Sequence, residues 1–171
     1  VVDAIVGEQV LRVVPQLGMA PPPQATAPGK TLLARMDDAS VQEWVRQSGA
    51  PNAVPLKQLL REMAQIRSQG FALDYDQVLP GVAGLAVSIG TYRGAYSMAV
   101  LAPTVRMREK LDSFQRELFT LRDAGHIRLL DELAVSEEAG EGLPYGLSGQ
   151  TIFYAGPTPA VSLRDARSRE N

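Results

Sequence analysis

Pro80-Gly81-Val82-Ala83-Gly84-Leu85-Ala86-Val87-Ser88-Ile89 and, beyond Arg93-Gly94, Tyr96-Ser97-Met98-Ala99-Val100-Leu101 decide the fold. Both runs carry Val, Leu and small residues without a charge, with Ile in the first and Tyr and Met in the second. Leu79-Pro80-Gly81 precedes them, Arg93-Gly94 separates them and Pro103 ends them, so they read as the two strands of a hairpin. Phe71-Ala72-Leu73 is a short extended piece before the first. After Pro103 the period changes: Leu111, Phe114, Leu118 and Leu121 recur at helical spacing, and a long helix is expected from about Val105. Glu109, Lys110, Asp112, Arg116 and Glu117 alternate in sign on its polar face, as a solvated surface does.

Working back from Phe71, Leu56, Leu59, Leu60, Met63 and Ile66 form the clearest helical stripe, opened by Pro55 and closed by Gly70. Ser40-Val41-Gln42-Glu43 has capping-box spacing, so another helix is expected to start at Ser40. Thr31 to Met36 reads as a shorter one, reached through an extended Pro21-Pro22-Pro23. At the N-terminus Ala4-Ile5-Val6 and Val10-Leu11-Arg12-Val13-Val14 flank Gly7-Glu8-Gln9 and read as a hairpin. A chain that opens inside a strand is expected to follow a partner segment upstream, because sheet edges are normally paired or covered. Past Gly125, Ile127, Leu129, Leu130 and Leu133 extend the helical pattern. From Gly140 glycine, proline and serine dominate, with Thr151-Ile152-Phe153-Tyr154 as the apolar cluster. The expected division is a domain over 1–138 and a tail over 139–171 with one strand.

The 171 residues and 18.4 kDa suit one domain, and 45% hydrophobic content suffices for a core without disulfides or metals. The sequence has no cysteine, which removes disulfide frameworks, thiolate metal sites and cysteine nucleophiles together. Lys and Arg number 17 against 19 Asp and Glu, a net charge of −2, unlike the basic balance of a module that binds phosphate backbones. No apolar run approaches the ~20 residues that span a bilayer and no secretory pattern opens the chain, so a cytoplasmic location is expected.

Gly29-Lys30-Thr31 matches the end of a phosphate-binding loop, but the glycine required five residues earlier is Gln24, and Pro28 has no amide to offer a phosphate. Nucleotide hydrolysis is not expected. What remains is a helix start whose unpaired amides and dipole suit a carboxylate, beside the plainer reading of an ordinary helix N-terminus. His126, the single histidine, has no partner for a triad or a two-histidine metal site, and Asp37-Asp38 and Glu137-Glu138 read as solvated pairs flanking helices. No catalytic residue, metal ligand or cofactor is assigned. Asp74, among apolar neighbours, is a turn-former for Tyr75 and Asp76 or a polar group aimed into a concavity, and spacing alone favours the former.

Three blocks then stand in order: Ala25-Thr26-Ala27-Pro28-Gly29-Lys30-Thr31-Leu32-Leu33-Ala34 after an extended Leu17-Gly18 to Pro22, Ile66-Arg67-Ser68-Gln69-Gly70-Phe71, and Pro80-Gly81-Val82-Ala83-Gly84-Leu85-Ala86. Over roughly Val1 to Glu138 the chain resembles the C-terminal effector-binding domain of IclR-type bacterial transcriptional regulators. The resemblance implies an α+β, GAF-like (profilin-like) fold: an antiparallel sheet flanked by helices, with a small-molecule effector held between the sheet and the loop-helix at Gly-Lys. It further implies a homo-oligomer, dimer or tetramer, and DNA binding only through an upstream winged helix-turn-helix absent from this chain, with no membrane partner. Carried over position by position, ligand-binding places fall on Val10, Val13, Ala27, Pro28, Gly29, Asp74, Gly84, Ala99 and Leu101.

Members that bind small oxo-acids have serines where this chain has Ala99 and Leu101, and the hairpin around Arg93-Gly94 is shorter here. A polar effector would leave groups unpaired at ~1–3 kcal/mol each. The expected effector is therefore an organic acid with an aromatic or aliphatic body: carboxylate at the helix start near Gly29, apolar part against Val10, Val13, Ala99 and Leu101, a hydroxyl on Asp74. The stripe Leu111, Phe114, Leu118, Leu121 is the candidate surface for self-association, unless it is buried within its own domain. The expected function is non-catalytic small-molecule sensing for a DNA-binding regulator; the alternative is a stand-alone GAF-like module or a small enzyme reusing the same pocket. From the acidic balance, residues 1–171 alone are predicted not to bind duplex DNA sequence-selectively, and a retarded, sequence-dependent band in a gel-shift assay at moderate salt would contradict that.

Overall fold

A computed structural model describes residues 1, 3–6, 9–15, 18, 20–48, 54–91, 94–123 and 150–155. Among them the elements run β1 (Asp3–Ile5), α1 (Ala27–Leu33), α2 (Asp38–Ser48), α3 (Leu56–Gln69), β2 (Ala72–Tyr75), β3 (Val82–Thr91), β4 (Gly94–Pro103), α4 (Thr104–Asp123) and β5 (Gln150–Ala155), with a 3-10 turn at Pro23–Ala25. The hairpin expected from Pro80-Gly81 onward is β3 and β4, in register from Val82 opposite Pro103 to Thr91 opposite Gly94. β2 extends it on one side and β5 on the other, and β1 closes the sheet in the order β1-β5-β4-β3-β2. Every neighbouring pair is antiparallel.

Alternation along the strands sorts side chains onto two faces. Ala83, Leu85, Val87, Met98, Val100 and Ala102 face α4, whose Met107, Phe114, Leu118 and Leu121 pack on them. Ala72, Ala86 and Ala99 face the other way, opposite one another across three strands, and lie under α1 and α3 with Leu33, Leu59, Met63 and Ile66. Three alanines in one cross-strand row leave room for α1 to sit close on the sheet. All residues of α1 are buried, Ala27 and Leu33 to within 1% of full exclusion from solvent. The sheet is therefore a middle layer, which is why its central strands read as nearly continuous apolar runs.

Several elements differ from the sequence reading. Val10 to Val14 is not a strand: β1 pairs with β5, and Val10, Leu11 and Val14 are exposed, so nothing buries them against a partner. The strand expected within the 139–171 tail is β5, placed between β1 and β4 inside the sheet. α1 starts at Ala27 instead of Thr31 because Thr26 caps it, its hydroxyl accepting from the Gly29 amide at 3.1 Å. α2 starts at Asp38 because Asp37, rather than Ser40, is the cap: its carboxylate accepts from the Ser40 amide at 2.7 Å, which holds the Asp37 carboxyl below its ordinary pKa. The helical stripe on α4 is spent within the domain, with Phe114, Leu118 and Leu121 buried against the sheet, so it does not offer an association surface. His126, Ile127, Leu129, Leu130, Leu133, Glu137 and Glu138 lie outside the described residues. No helix among the described residues is long and apolar enough to cross a membrane.

Gly29 shows the tolerance of this packing. A Cβ there would stand 2.3 Å from the Pro23 backbone, because the 3-10 turn lies directly on the first turn of α1. Gly29→Ala should lower unfolding stability by ~1–3 kcal/mol through backbone overpacking, read as a reduced urea midpoint at unchanged m; an unaltered midpoint would refute the contact.

Candidate functional site

On the face that α1 covers, Asp74, Gly84 and Leu101 lie opposite one another across β2, β3 and β4, one row beyond the alanines. α1 ends its cover at Thr26, so this row is not roofed by helix. Instead Asp74 and Leu101 floor a cavity of about 100 Å³, walled by Val1, by Pro21, Thr26 and Pro28, by Val78 and Leu79 of the β2–β3 connection with Val82 at the start of β3, and by Val13, Val14 and Pro15. Apolar side chains dominate this wall, and among the described residues Asp74 is the single ionisable side chain on it.

Asp74 is 7% exposed. Its Oδ2 accepts the Ala27 amide at 2.5 Å, the first backbone N–H of α1. Burial pushes its carboxyl above the ordinary value; the Ala27 amide, the charge of Lys30 and the Gly84 amide act against that, while Glu62 adds to it. Close packing of this carboxylate requires the glycine opposite, since a Cβ on Gly84 would stand 2.7 Å from Oδ2 and 3.0 Å from Leu101 Cδ2.

The Gly-Lys-Thr stretch is structural throughout. Gly29 clears the 3-10 turn. Lys30 is 1% exposed and its ammonium donates to Glu62 Oε1 at 2.6 Å and Gln77 Oε1 at 2.9 Å, so no charge is left for a phosphate. The Thr31 hydroxyl donates to the Pro28 carbonyl at 2.8 Å and lies 2.8 Å from Ser97 Oγ, fastening α1 to β4.

Of the residues singled out by sequence, Val13, Pro28, Asp74 and Leu101 come together on the cavity. Ala27, Gly29, Gly84 and Ala99 do not line it. Ala27 contributes its amide to Asp74, Gly84 lies beneath Asp74 and Leu101, and Ala99 is sealed under α1. Val10 is fully exposed, because the strand that was to carry it inward does not form. The carboxylate seat expected at the helix start is filled from within: Asp74 takes the Ala27 amide, Thr26 takes that of Gly29, and Pro28 has none. Sequence reasoning missed Val1, Val14, Pro15, Pro21, Thr26, Val78, Leu79 and Val82. The turn signal Leu79-Pro80-Gly81 marked the place of three of them but not that the turn folds over the sheet.

The comparisons agree with this geometry. The family model for the C-terminal region of bacterial IclR transcriptional regulators matches residues 1–126. The HTH-type transcriptional regulator TtgV of Pseudomonas putida is 35% identical over 121 residues, which are 69% of this chain and 47% of that regulator, so the chain spans about half of its relative's length. The crystal structure of the C-terminal domain of the Escherichia coli regulator KdgR superposes with a TM-score of 0.53 at 27% identity, over 63% of this chain and 70% of that one. The inducer-binding domain of Acinetobacter PobR, solved as a double mutant with 3-hydroxybenzoic acid, shares the fold with a TM-score of 0.58 at 24% identity, over 68% of this chain and 74% of that one. These neighbours have the GAF-like arrangement of antiparallel sheet and flanking helices found here. With the three sequence blocks now accounted for as an α1 locked under its cap, an α3 that ends at Gly70 and a turn leading into β3, the chain belongs to the IclR family of bacterial transcriptional regulators, as their C-terminal effector-binding region.

Proposed function

We propose that the chain senses a small organic molecule in the cavity over Asp74 and, without catalysing a reaction, passes its occupancy to a DNA-binding regulator of which it is part. DNA contact then belongs to a winged helix-turn-helix upstream, and the regulator works in the cytoplasm as a homo-oligomer, dimer or tetramer. The observation that carries this reading is a cavity with apolar walls and one buried carboxylate, the composition of a small-molecule site. Occupancy acts by differential affinity: a ligand shifts an equilibrium only as far as it prefers one state of the protein over the other.

The effector has an aromatic or aliphatic body. It occupies the cavity of about 100 Å³ and, where it is larger, displaces the side chains of the wall. Its hydroxyl donates to Asp74. A carboxylate finds no free amide at the start of α1 and meets Asp74 as a like charge, so in an acid effector the carboxylate lies away from Asp74.

Calorimetry with benzyl alcohol and benzoate tests this. The native chain should bind the alcohol about tenfold more tightly or better. Leu101→Ser, which removes apolar wall at a cost of ~1.5–3 kcal/mol, should weaken the alcohol by about tenfold or more and shift preference toward small polar acids; an unshifted preference would overturn the assignment. Asp74 supplies a separate check. Because its folded-state pKa lies above the ordinary 3.8, the folded chain binds the proton more tightly than the unfolded one, and stability declines as pH rises from about 3.8 through the raised value. Urea denaturation should show Asp74→Asn, which keeps an acceptor for Ala27 and does not ionise, gaining on the native chain over that window, and parallel pH curves would refute the raised pKa.

A further inference from the structure

The β2–β3 turn, residues 76–81, reaches three parts of the molecule at once. Val78 and Leu79 form part of the cavity wall. Gln77 Oε1 accepts from Lys30 Nζ at 2.9 Å, and the same buried ammonium meets Glu62 of α3 at 2.6 Å. On the opposite face of the sheet, Asp76 Oδ1 accepts from the hydroxyl of Thr104, the first residue of α4, at 2.8 Å, and the Thr104 amide donates to the Gly81 carbonyl at 2.9 Å. Asp76 sits at φ +58, a conformation non-glycine residues seldom take, and its carboxylate accepts the Gly81 amide at 2.7 Å, which braces it. The turn's apolar side chains thus border the ligand space while its polar ones are tied to helices on both faces.

We propose that this turn transmits occupancy of the cavity, to α3 through Gln77, Lys30 and Glu62, and to the start of α4 through Asp76 and Thr104. The proposal rests on the cavity being a ligand site. A ligand filling the space displaces Val78 and Leu79, and Gln77 and Asp76 move with them because they share the turn's backbone. Lys30 cannot ignore the change: a buried ammonium that loses an acceptor must be compensated by its remaining partner, which is Glu62 on α3. The α4 tether works differently, since it joins the turn to the first turn of a helix whose length is packed on the sheet, and a shift there enters the second layer of the fold. The warrant is one element with two separate attachments whose equilibrium the ligand biases.

Hydrogen exchange of the full chain with and without saturating benzyl alcohol tests it, with calorimetry confirming that the alcohol binds. In the native chain the alcohol should alter exchange in 76–82, in α3 around Glu62 and in the first turn of α4. Gln77→Leu should keep the alcohol affinity within about threefold and lose the α3 response while retaining that of α4; Thr104→Val should do the reverse. General destabilisation would not sort by tether. If both helices respond in both variants as in the native chain, transmission through these residues is overturned while the cavity stands as a ligand site. If calorimetry finds no binding, the cavity reading fails and Leu79→Trp, or Leu79→Phe should the indole prevent folding, replaces the ligand by pressing on the same turn. Exchange in α3 must then change, and must revert when Gln77→Leu is added; an unchanged α3 overturns the proposal.

Discussion

A single hydrogen bond, from the Ala27 amide to Asp74 Oδ2 at 2.5 Å, joins the helix layer to the sheet at the point where the cavity begins. It places a buried carboxylate at the positive end of α1, the position where a helix favours negative charge, and so makes burial of that carboxylate tolerable. It also fixes how far along the sheet α1 reaches. From that follows the division of one sheet face into two rows: Ala72, Ala86 and Ala99, closed by the helix, and Asp74, Gly84 and Leu101, left for the cavity. Charge in the neighbourhood is arranged consistently, with Lys30 beside Asp74 lowering and Glu62 raising its carboxyl pKa, and Lys30 itself satisfied by Glu62 and Gln77.

The Ile-Arg-Ser-Gln-Gly-Phe block shows how a sequence signal can be a packing requirement. Arg67 leaves α3 and donates Nε to the Ala34 carbonyl at 2.9 Å, Nη2 to the Met36 carbonyl at 2.7 Å and Nη1 to Asp38 at 2.8 Å. One planar guanidinium therefore satisfies the carbonyls where α1 ends and holds the first residue of α2. A lysine could supply the charge but not the fork. Gly70, three residues on, takes φ +81 to end α3 and turn the chain into β2. Both ends of α1 are thus held by residues remote in sequence, Asp74 at the start and Arg67 at the finish.

What could be read from sequence was local. The β3–β4 hairpin, α3 between Pro55 and Gly70, and α4 after Pro103 carry their own turn, cap and periodicity signals, and all appear. The starts of α1 and α2 lie earlier than the sequence pattern indicates because the caps are Thr26 and Asp37, and cap choice depends on which amide a side chain reaches rather than on a pattern. The N-terminal hairpin failed for a nonlocal reason: β5, far along the chain, takes the edge of β4, and β1 pairs with it in turn. The site followed the same rule. Asp74, Leu101, Pro28 and Val13, which the family resemblance marks, line the cavity. Lys30 as a buried ion pair and Val78 with Leu79 as cavity wall carry no local signal, because each is defined by contacts with residues 32 or more positions away or by a turn folding over the sheet.

The cavity exists because α1 is prevented from covering it. Pro28 at the helix's second position and Thr26 as its cap stop the helix from beginning sooner. The 3-10 turn that precedes it lies directly on Gly29, in the space a Cβ there would take, and Pro21 just ahead of it stands in the cavity wall. Side chains from the β2–β3 turn and from residues 13–15 then close the space that backbone leaves open. A wall built of side chains on connecting segments is easier to rearrange than one built of helix, whose hydrogen bonds and burial must move together. The floor, by contrast, is sheet fixed by layers on both faces. The floor thus holds its carboxylate on backbone that is fixed from both sides, while the apolar wall above it stands on loops, of which the β2–β3 turn is tied to helices on both faces.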